Sequence, residues 1–250
     1  MGTTATEILR GLSDVVFPPE CVHCRGLVAA TAAGGEAGFR HLCVRCARQL
    51  TMVVSPHCRT CGHPFFGEMA GDRECVKCQG LEAVYGEGRT AVIFNGPARA
   101  LVIALKYHRG LYVLADMEEV FRRVPEMLAH VRGATLVPVP LHPRKARERG
   151  YNQAWLLAEV LAKVAGGTTG VAELLRRVVD TPTQTAFDRR TRLENLKNAF
   201  ALKGTAPLNP EVHHVLVDDV FTTGSTLNSC ARTLRRAGAL KVDVVTFAHG

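Results

Sequence analysis

The residues most able to do chemistry lie together in one dozen, Val215-Leu216-Val217-Asp218-Asp219-Val220-Phe221-Thr222-Thr223-Gly224-Ser225-Thr226. An apolar run delivers two adjacent carboxylates. A small hydroxyl-rich loop follows, and Leu227 to Ala237 then reads as a helix. A strand, an acidic pair and an anion cradle at a helix N-terminus suit a sugar phosphate. The amides and hydroxyls of Thr222, Thr223, Gly224, Ser225 and Thr226 can hold a phosphate, and Asp218 and Asp219 can accept hydrogen bonds from vicinal ribose hydroxyls. The bland reading is a strand–turn–helix with threonine caps. The whole dozen in register argues against it.

A second chemistry is written in cysteine. Eight of the nine cysteines form four CxxC pairs, Cys21/Cys24, Cys43/Cys46, Cys58/Cys61 and Cys75/Cys78. Each pair can place two thiolates on one metal from a tight turn, and two turns complete a zinc tetrahedron. Sequential pairing puts one zinc on Cys21, Cys24, Cys43 and Cys46 and the other on Cys58, Cys61, Cys75 and Cys78, with spans between them that suit ribbon hairpins. A cross-braced pairing is the alternative. A redox role suits one isolated CxxC, not four within sixty residues. His23, His41, His57 and His63 are left as surface or hydrogen-bonding residues, because the thiolates already suffice. Cys230 reads as a small core residue.

A third group is cationic. Val137-Pro138-Val139-Pro140 leads into Arg144, Lys145, Arg147 and Arg149, a basic loop able to meet a pyrophosphate or nucleic-acid phosphates. Arg189, Arg190 and Arg192, with Gln184, Asn195 and Lys197, form a second basic segment on an expected short helix. Each has a plain alternative, a solvated loop or an exposed amphipathic helix. Lys106 closes a helix and reads first as a favourable C-terminal charge.

The elements that must position these groups follow an α/β pattern from about residue 89. Strands are expected at 90–94, 134–139, 174–179, 214–218 and 241–247, and helices at 96–107, 111–130 with a break at Pro125, 151–165, 188–197 and 225–237. Such alternation implies a mostly parallel sheet, with ligands gathered at the carboxyl ends of its strands. Residues 1–80 read as a separate zinc module with an N-terminal helix and a loose hairpin tip at Gly34-Gly35. Residues 80–90 read as a linker to a domain spanning 81–250.

Composition bounds the rest. Hydrophobic content of 47% supports a core, and no apolar run reaches the roughly 20 residues that span a bilayer. Ile8, Leu9, Leu12, Val15 and Val16 are interrupted by Arg10, Ser13 and Asp14, so they fit a helix face better than a signal peptide, and the cytoplasm is the expected compartment. The formal charge of +8 invites a nucleic-acid reading. Residues 1–80 contribute only +1 of it, and two four-thiolate zinc centres would carry that module to about −3. Any electrostatic grip therefore belongs to the second domain.

The dozen at 215–226 closely resembles the phosphoribosyl pyrophosphate (PRPP) loop of type I phosphoribosyltransferases, with Phe221 where an aliphatic residue is more usual. The resemblance extends further. Phe17-Pro18-Pro19-x-Cys21, the CxxC pairs, Leu105-Lys106-Tyr107, Val137-Pro138-Val139-Pro140, Arg149-Gly150-Tyr151-Asn152-Gln153, Gln184 with Arg192 and Asn195, and the loop itself look like the ComF family. The resemblance implies a double zinc ribbon before a type I phosphoribosyltransferase-like parallel sheet with helices on both faces. It also implies PRPP binding with Mg²⁺, and a role in natural competence, handling internalised single-stranded DNA, with other competence proteins as further partners. In that reading Asp218 and Asp219 hold the ribose hydroxyls and help organise Mg²⁺, and the 138–145 segment meets the pyrophosphate. Two alternatives stand beside it. One is a nucleobase phosphoribosyltransferase of nucleotide salvage, for which no acceptor pocket is legible. The other is a non-enzymatic zinc-ribbon adaptor.

Overall fold

Every strand of the main sheet runs the same way, and helices supply the crossovers. The computed structural model describes residues 18–28, 38–67, 71, 73–178 and 199–250. A short helix, α1 (Val44–Ala47), lies in the cysteine-rich region. The remainder begins with β1 (Gly88–Ile93), α2 (Gly96–Tyr107), a 3₁₀ turn at Leu111–Val113, α3 (Leu114–Arg122), α4 (Pro125–Val131) and β2 (Thr135–Pro138). It continues with α5 (Pro143–Arg149), α6 (Gln153–Ala165), β3 (Gly170–Val171), β4 (Leu175–Arg177) and β5 (Phe200–Leu202), and ends with β6 (His213–Phe221), α7 (Ser225–Arg236) and β7 (Lys241–His249). The five-stranded sheet has the order β1-β7-β6-β2-β3, parallel throughout.

Local sequence explains the helices that flank it. In α2, Pro97 sits in the first turn, where its missing N–H costs nothing, and Ala98, Leu101, Val102 and Leu105 form one buried stripe. Pro125 divides the expected 111–130 helix because it cannot donate within a helix but can begin one, and α4 starts on it. Strand alternation then sorts the core. Val215 and Val217 face α2, α3, α4 and α6, whereas Leu216 faces α7 on the other side.

The structure departs from expectation at four places. Residues 140–150 are not a loop: α5 starts with Pro143 behind a capping His142, whose Nδ1 accepts from the Arg144 amide at 3.3 Å, and stops at Gly150 with φ 84°. The charge density hid these start and stop signals. Strand β6 continues through both aspartates to Phe221. The strand expected at 174–179 leaves the parallel sheet, and β4 pairs antiparallel with β5. The two-residue β3 closes the sheet edge instead. The expected helices at 8–16 and 188–197 and the tip at Gly34-Gly35 lie outside the described residues.

The zinc-binding region packs directly onto this sheet. Cys21, Leu42 and Cys46 join the core on the α2/α3 face, and Cys58, Cys61 and Cys78 join the core beneath α7. Between them, residues 51–53 extend the edge of β1, with Val53 N donating to Ala91 O at 2.9 Å and Ile93 N to Thr51 O at 3.0 Å. Residues 80–90 are pinned rather than free: Gly86 N donates to Val242 O at 2.8 Å and Glu87 N to Asp243 Oδ1 at 2.7 Å. Gly88 is required there by close approach, because a Cβ on it would lie 2.2 Å from Thr60 O.

Asp116 fixes the first zinc unit. Its fully buried carboxylate accepts from Arg40 N at 2.6 Å and from His41 N at 2.7 Å. Burial pushes its carboxyl up to about 6, against the pull of those two amides. Asp116→Ala orphans both donors and should destabilise the chain by about 2–4 kcal/mol, measured by urea unfolding.

Candidate functional site

The cysteines meet in two sets, Cys21/Cys24/Cys43/Cys46 and Cys58/Cys61/Cys75/Cys78, with the sulfurs of each set within 4.8 Å of one another. Across the pairs, Cys24 and Cys43 Sγ lie 3.7 Å apart, and Cys61 and Cys75 Sγ 3.8 Å apart. A tetrahedron with zinc–sulfur bonds of about 2.3 Å has edges of about 3.8 Å, so both sets fit zinc and the pairing is sequential. The Cys75 amide donates to Cys58 Sγ at 3.2 Å, a bond that favours the thiolate.

The loop after β6 is built around Gly224. Its φ of 72° is left-handed, and a Cβ there would lie 2.6 Å from the Phe221 ring and 2.9 Å from Leu81. Thr223 Oγ1 lies 2.9 Å from Ser225 Oγ. Gly224, at the N-cap of α7, offers no capping side chain; Thr223 Oγ1 accepts from the Ser225 amide at 3.4 Å, and the amides of the first turn face the loop. Gly224→Ala combines left-handed strain with overpacking and should destabilise by roughly 2–4 kcal/mol in the same unfolding assay.

Asn228 locks this helix to residues 81–84. Its Oδ1 accepts from Val84 N at 2.8 Å, and its Nδ2 donates to Leu81 O and Glu82 O at 3.3 and 3.2 Å. Sequence reasoning missed it, because a single Asn inside a helix carries no signal of a partner more than 140 residues away.

The two carboxylates project to opposite faces of β6, as neighbours in a strand must. Asp219 is buried and its Oδ1 meets Lys106 Nζ of α2 at 2.7 Å, while Oδ2 has no hydrogen-bond partner among the described residues. Asp218 turns toward α7, with its Oδ1 accepting from Asp219 N at 2.9 Å. Burial, then the Asp219 charge, push the Asp218 carboxyl up to about 7, and Lys106 and Arg177 oppose this less strongly. Lys106 is thus more than a helix-end charge.

Lys106 also lines a cleft of about 360 Å³ with Tyr107, Arg109, Lys145, Glu148 and Arg149. Of the cations of helix α5, Lys145 and Arg149, four residues apart, line the cleft, whereas Arg144 stands outside the lining and pairs with the lining residue Glu148 at 3.2 Å. Arg147 is exposed and outside the cleft lining. Arg189, Arg190 and Arg192 lie outside the described residues.

The residues after α5 act as braces. The Arg149 guanidinium donates to Gln153 Oε1 and the Tyr151 hydroxyl to Leu105 O. Asn152 caps α6 and donates to Val139 O at 3.0 Å. Tyr151 is therefore committed to the framework. Of the cleft's lining residues, Tyr107 is the exposed aromatic, at 70% accessibility, with the Arg149 guanidinium 5.6 Å from its ring centre. No helix among the described residues is long and apolar enough to cross a membrane.

A double zinc ribbon domain family matches residues 12–79. Competence protein F of Haemophilus influenzae is 29% identical over 237 residues, spanning 93% of this chain and 98% of its own length. The DNA utilization protein YhgH of Salmonella typhi is 33% identical over 236 residues, spanning 92% and 96%. Competence protein ComFC of Bacillus subtilis is 24% identical over 203 residues, 79% of each chain. Among solved structures, a hypoxanthine phosphoribosyltransferase from Staphylococcus aureus shares 12% identity, with a TM-score of 0.35 over 53% of this chain and 62% of its own. A likeness of that size says nothing about activity.

Proposed function

The chain belongs to the ComF family, and from that premise we propose that it binds PRPP with Mg²⁺ at the β6 loop and handles single-stranded DNA through the adjoining cationic cleft. The observation that carries this reading is the double position of Lys106, which bonds Asp219 and also lines the cleft. Asp219 is thus tied directly to one of the cations that line the cleft.

In this reading the Thr222–Thr226 backbone and hydroxyls take the 5′-phosphate, helped by the positive end of the α7 dipole. Asp218 and Asp219 accept from the ribose hydroxyls, and Mg²⁺ would offset charge between these carboxylates and the pyrophosphate. Lys106 exchanges its bond to Asp219 for a phosphate oxygen as ligand enters. Lys145, Arg149 and Arg109 hold pyrophosphate or DNA phosphates, and Tyr107 offers a face on which a base can stack. In a phosphoribosyl transfer the protein mainly positions the ribose and stabilises developing charge, and no side chain here is required as a covalent nucleophile. The curated relatives carry competence and DNA-utilization names, and these support the DNA half of the proposal. It acts in the cytoplasm, where internalised strands arrive.

The experiment is anisotropy of a labelled oligodeoxythymidine on the full zinc-loaded chain. About four phosphate contacts predict a log–log salt slope near −3, since each contributes about −0.7 for single strands. Lys145→Ala and Arg149→Ala should each lower that slope by about one contact's share. PRPP with Mg²⁺ should displace the strand, because both use Lys106 and its neighbours. Binding with no salt dependence, or a complex indifferent to saturating PRPP, contradicts the proposal. Pyrophosphate release across a panel of nucleobases distinguishes transfer from binding alone.

A further inference from the structure

A third ligand cluster lies at the opposite end of the sheet. His213 opens β6, Asp243 lies early in β7, Glu87 precedes β1, and His130 ends α4 just before β2. In a parallel sheet this is the amino edge, the far side from the β6 loop. Both imidazoles aim Nε2 at one carboxylate oxygen: His213 Nε2 lies 2.8 Å and His130 Nε2 3.5 Å from Asp243 Oδ2. The ligating atoms of all three residues fall within 4.8 Å of one another. His130 Nε2 is buried and makes no hydrogen bond among the described residues. A buried imidazole nitrogen left without a hydrogen bond is costly unless something else accepts its lone pair.

We propose that His130, His213 and Asp243 form a third metal site, an open one for a divalent first-row transition ion at the amino edge of the sheet. Two imidazoles and one carboxylate make a borderline donor set of the kind such ions favour, and leave at least one position for water. In a tetrahedron with bonds of about 2.0–2.2 Å, ligand atoms stand about 3.4 Å apart. The His130–Asp243 separation already matches, and His213 must open from Asp243 by about 0.6 Å.

The surroundings orient these ligands. The Glu87 amide donates to Asp243 Oδ1 at 2.7 Å, which fixes the carboxylate and leaves Oδ2 for the ion. The Glu87 carboxylate stands 4.0 Å from His130 Nδ1, placed to receive its proton when Nε2 ligates. Arg89 holds the same Glu87 oxygen at 2.8 Å, which keeps Glu87 an orienting group rather than a ligand.

The test is calorimetric titration of Zn²⁺ into the full chain already carrying its two cysteine-bound zincs. Wild type should take up one further equivalent. His213→Gln and Asp243→Asn should each weaken that uptake at least tenfold. Asp243→Asn keeps an oxygen for the Glu87 amide, so two-zinc content and circular dichroism should match wild type. His213 is half-buried at a strand end and offers a second variant should that one fail to fold. Uptake should weaken as pH falls, because protons compete for both imidazoles. Co²⁺ added to the two-zinc protein should show nitrogen/oxygen ligation without thiolate charge transfer. No third equivalent in wild type, a third equivalent undiminished in both variants, or thiolate bands on adding Co²⁺ would each overturn the proposal.

Discussion

Removing zinc from the Cys58/Cys61/Cys75/Cys78 centre is expected to abolish PRPP binding and cooperative folding together. Structural zinc contributes on the order of 10 kcal/mol or more to small metal-held units, because the site does not exist in the unfolded chain. Here the metal holds more than its own ribbon. Cys58, Cys61 and Cys78 are buried in the same core as Leu216, Leu227 and Cys230. Thr90 Oγ1 donates to Cys61 O at 3.0 Å, tying the knuckle to β1. His63 meets His249 edge-on at 4.8 Å, and His249 stacks on Phe221 at 5.4 Å, immediately before the loop. Leu81 touches the position of Gly224. Treatment of Cys58→Ser/Cys61→Ser, or of wild type with a thiol-reactive mercurial, should therefore give loss of near-ultraviolet dichroism in step with zinc release and with loss of PRPP binding. A chain that releases this zinc and still binds PRPP would show the ribbon to be a separate appendage.

The second large effect concerns the carboxylates, and it has opposite signs for binding and for stability. Asp218→Asn and Asp219→Asn should each weaken PRPP binding about 10–100-fold, the loss that one or two charge-assisted hydrogen bonds imply. The folded Asp218 carboxyl sits near 7, above its unfolded value. It thus contributes stability that is present below about pH 4 and lost as pH rises through 7. Ligand binding needs the ionised form, so binding expels a proton and affinity should rise with pH toward 7 and level off above it. Asp218→Asn should flatten that component of the profile. It should also make the free protein more stable at pH 8 by on the order of 1–2 kcal/mol. One pKa unit corresponds to about 1.4 kcal/mol, and solvent reaching this half-buried carboxylate discounts the full shift. Asp219→Asn differs, because it strips Lys106 of its partner and should not stabilise. Thermal melts at pH 5 and pH 8, paired with titrations at each, separate the two.

What could be read from sequence was local. The CxxC spacing forces both thiolates of a pair toward one metal, and sequential neighbours then complete each set. Helix α2 was legible to the residue because Pro97, its apolar stripe and Tyr107 lie within one window. The β6 loop was legible because strand, hydroxyls, glycine and helix are contiguous. Distant contacts were not. Asp116 reads as one acidic residue in an amphipathic helix, yet its partners lie more than 70 residues earlier. Asn228 and the Lys106–Asp219 pair are hidden in the same way. Helix α5 was misread although its signals were present, since Pro143 and Gly150 were outweighed by four cations. The glycines at 86 and 88 lie in the segment read as a linker, but they serve close packing against Asp243 and Thr60. Tyr151 follows the basic run directly, but its hydroxyl is engaged with Leu105 O, and Tyr107 takes the exposed position beside the cleft.

A working PRPP site at the β6 loop has a direct thermodynamic signature. Calorimetric titration of the full two-zinc chain with PRPP in the presence of Mg²⁺ tests it most directly. The expected result is saturable binding of one PRPP per chain, Mg²⁺-dependent, stronger at pH 8 than at pH 6, and lost in the Asp218→Asn/Asp219→Asn double variant. Absence of binding by wild type, or equal binding by the folded double variant, would contradict it.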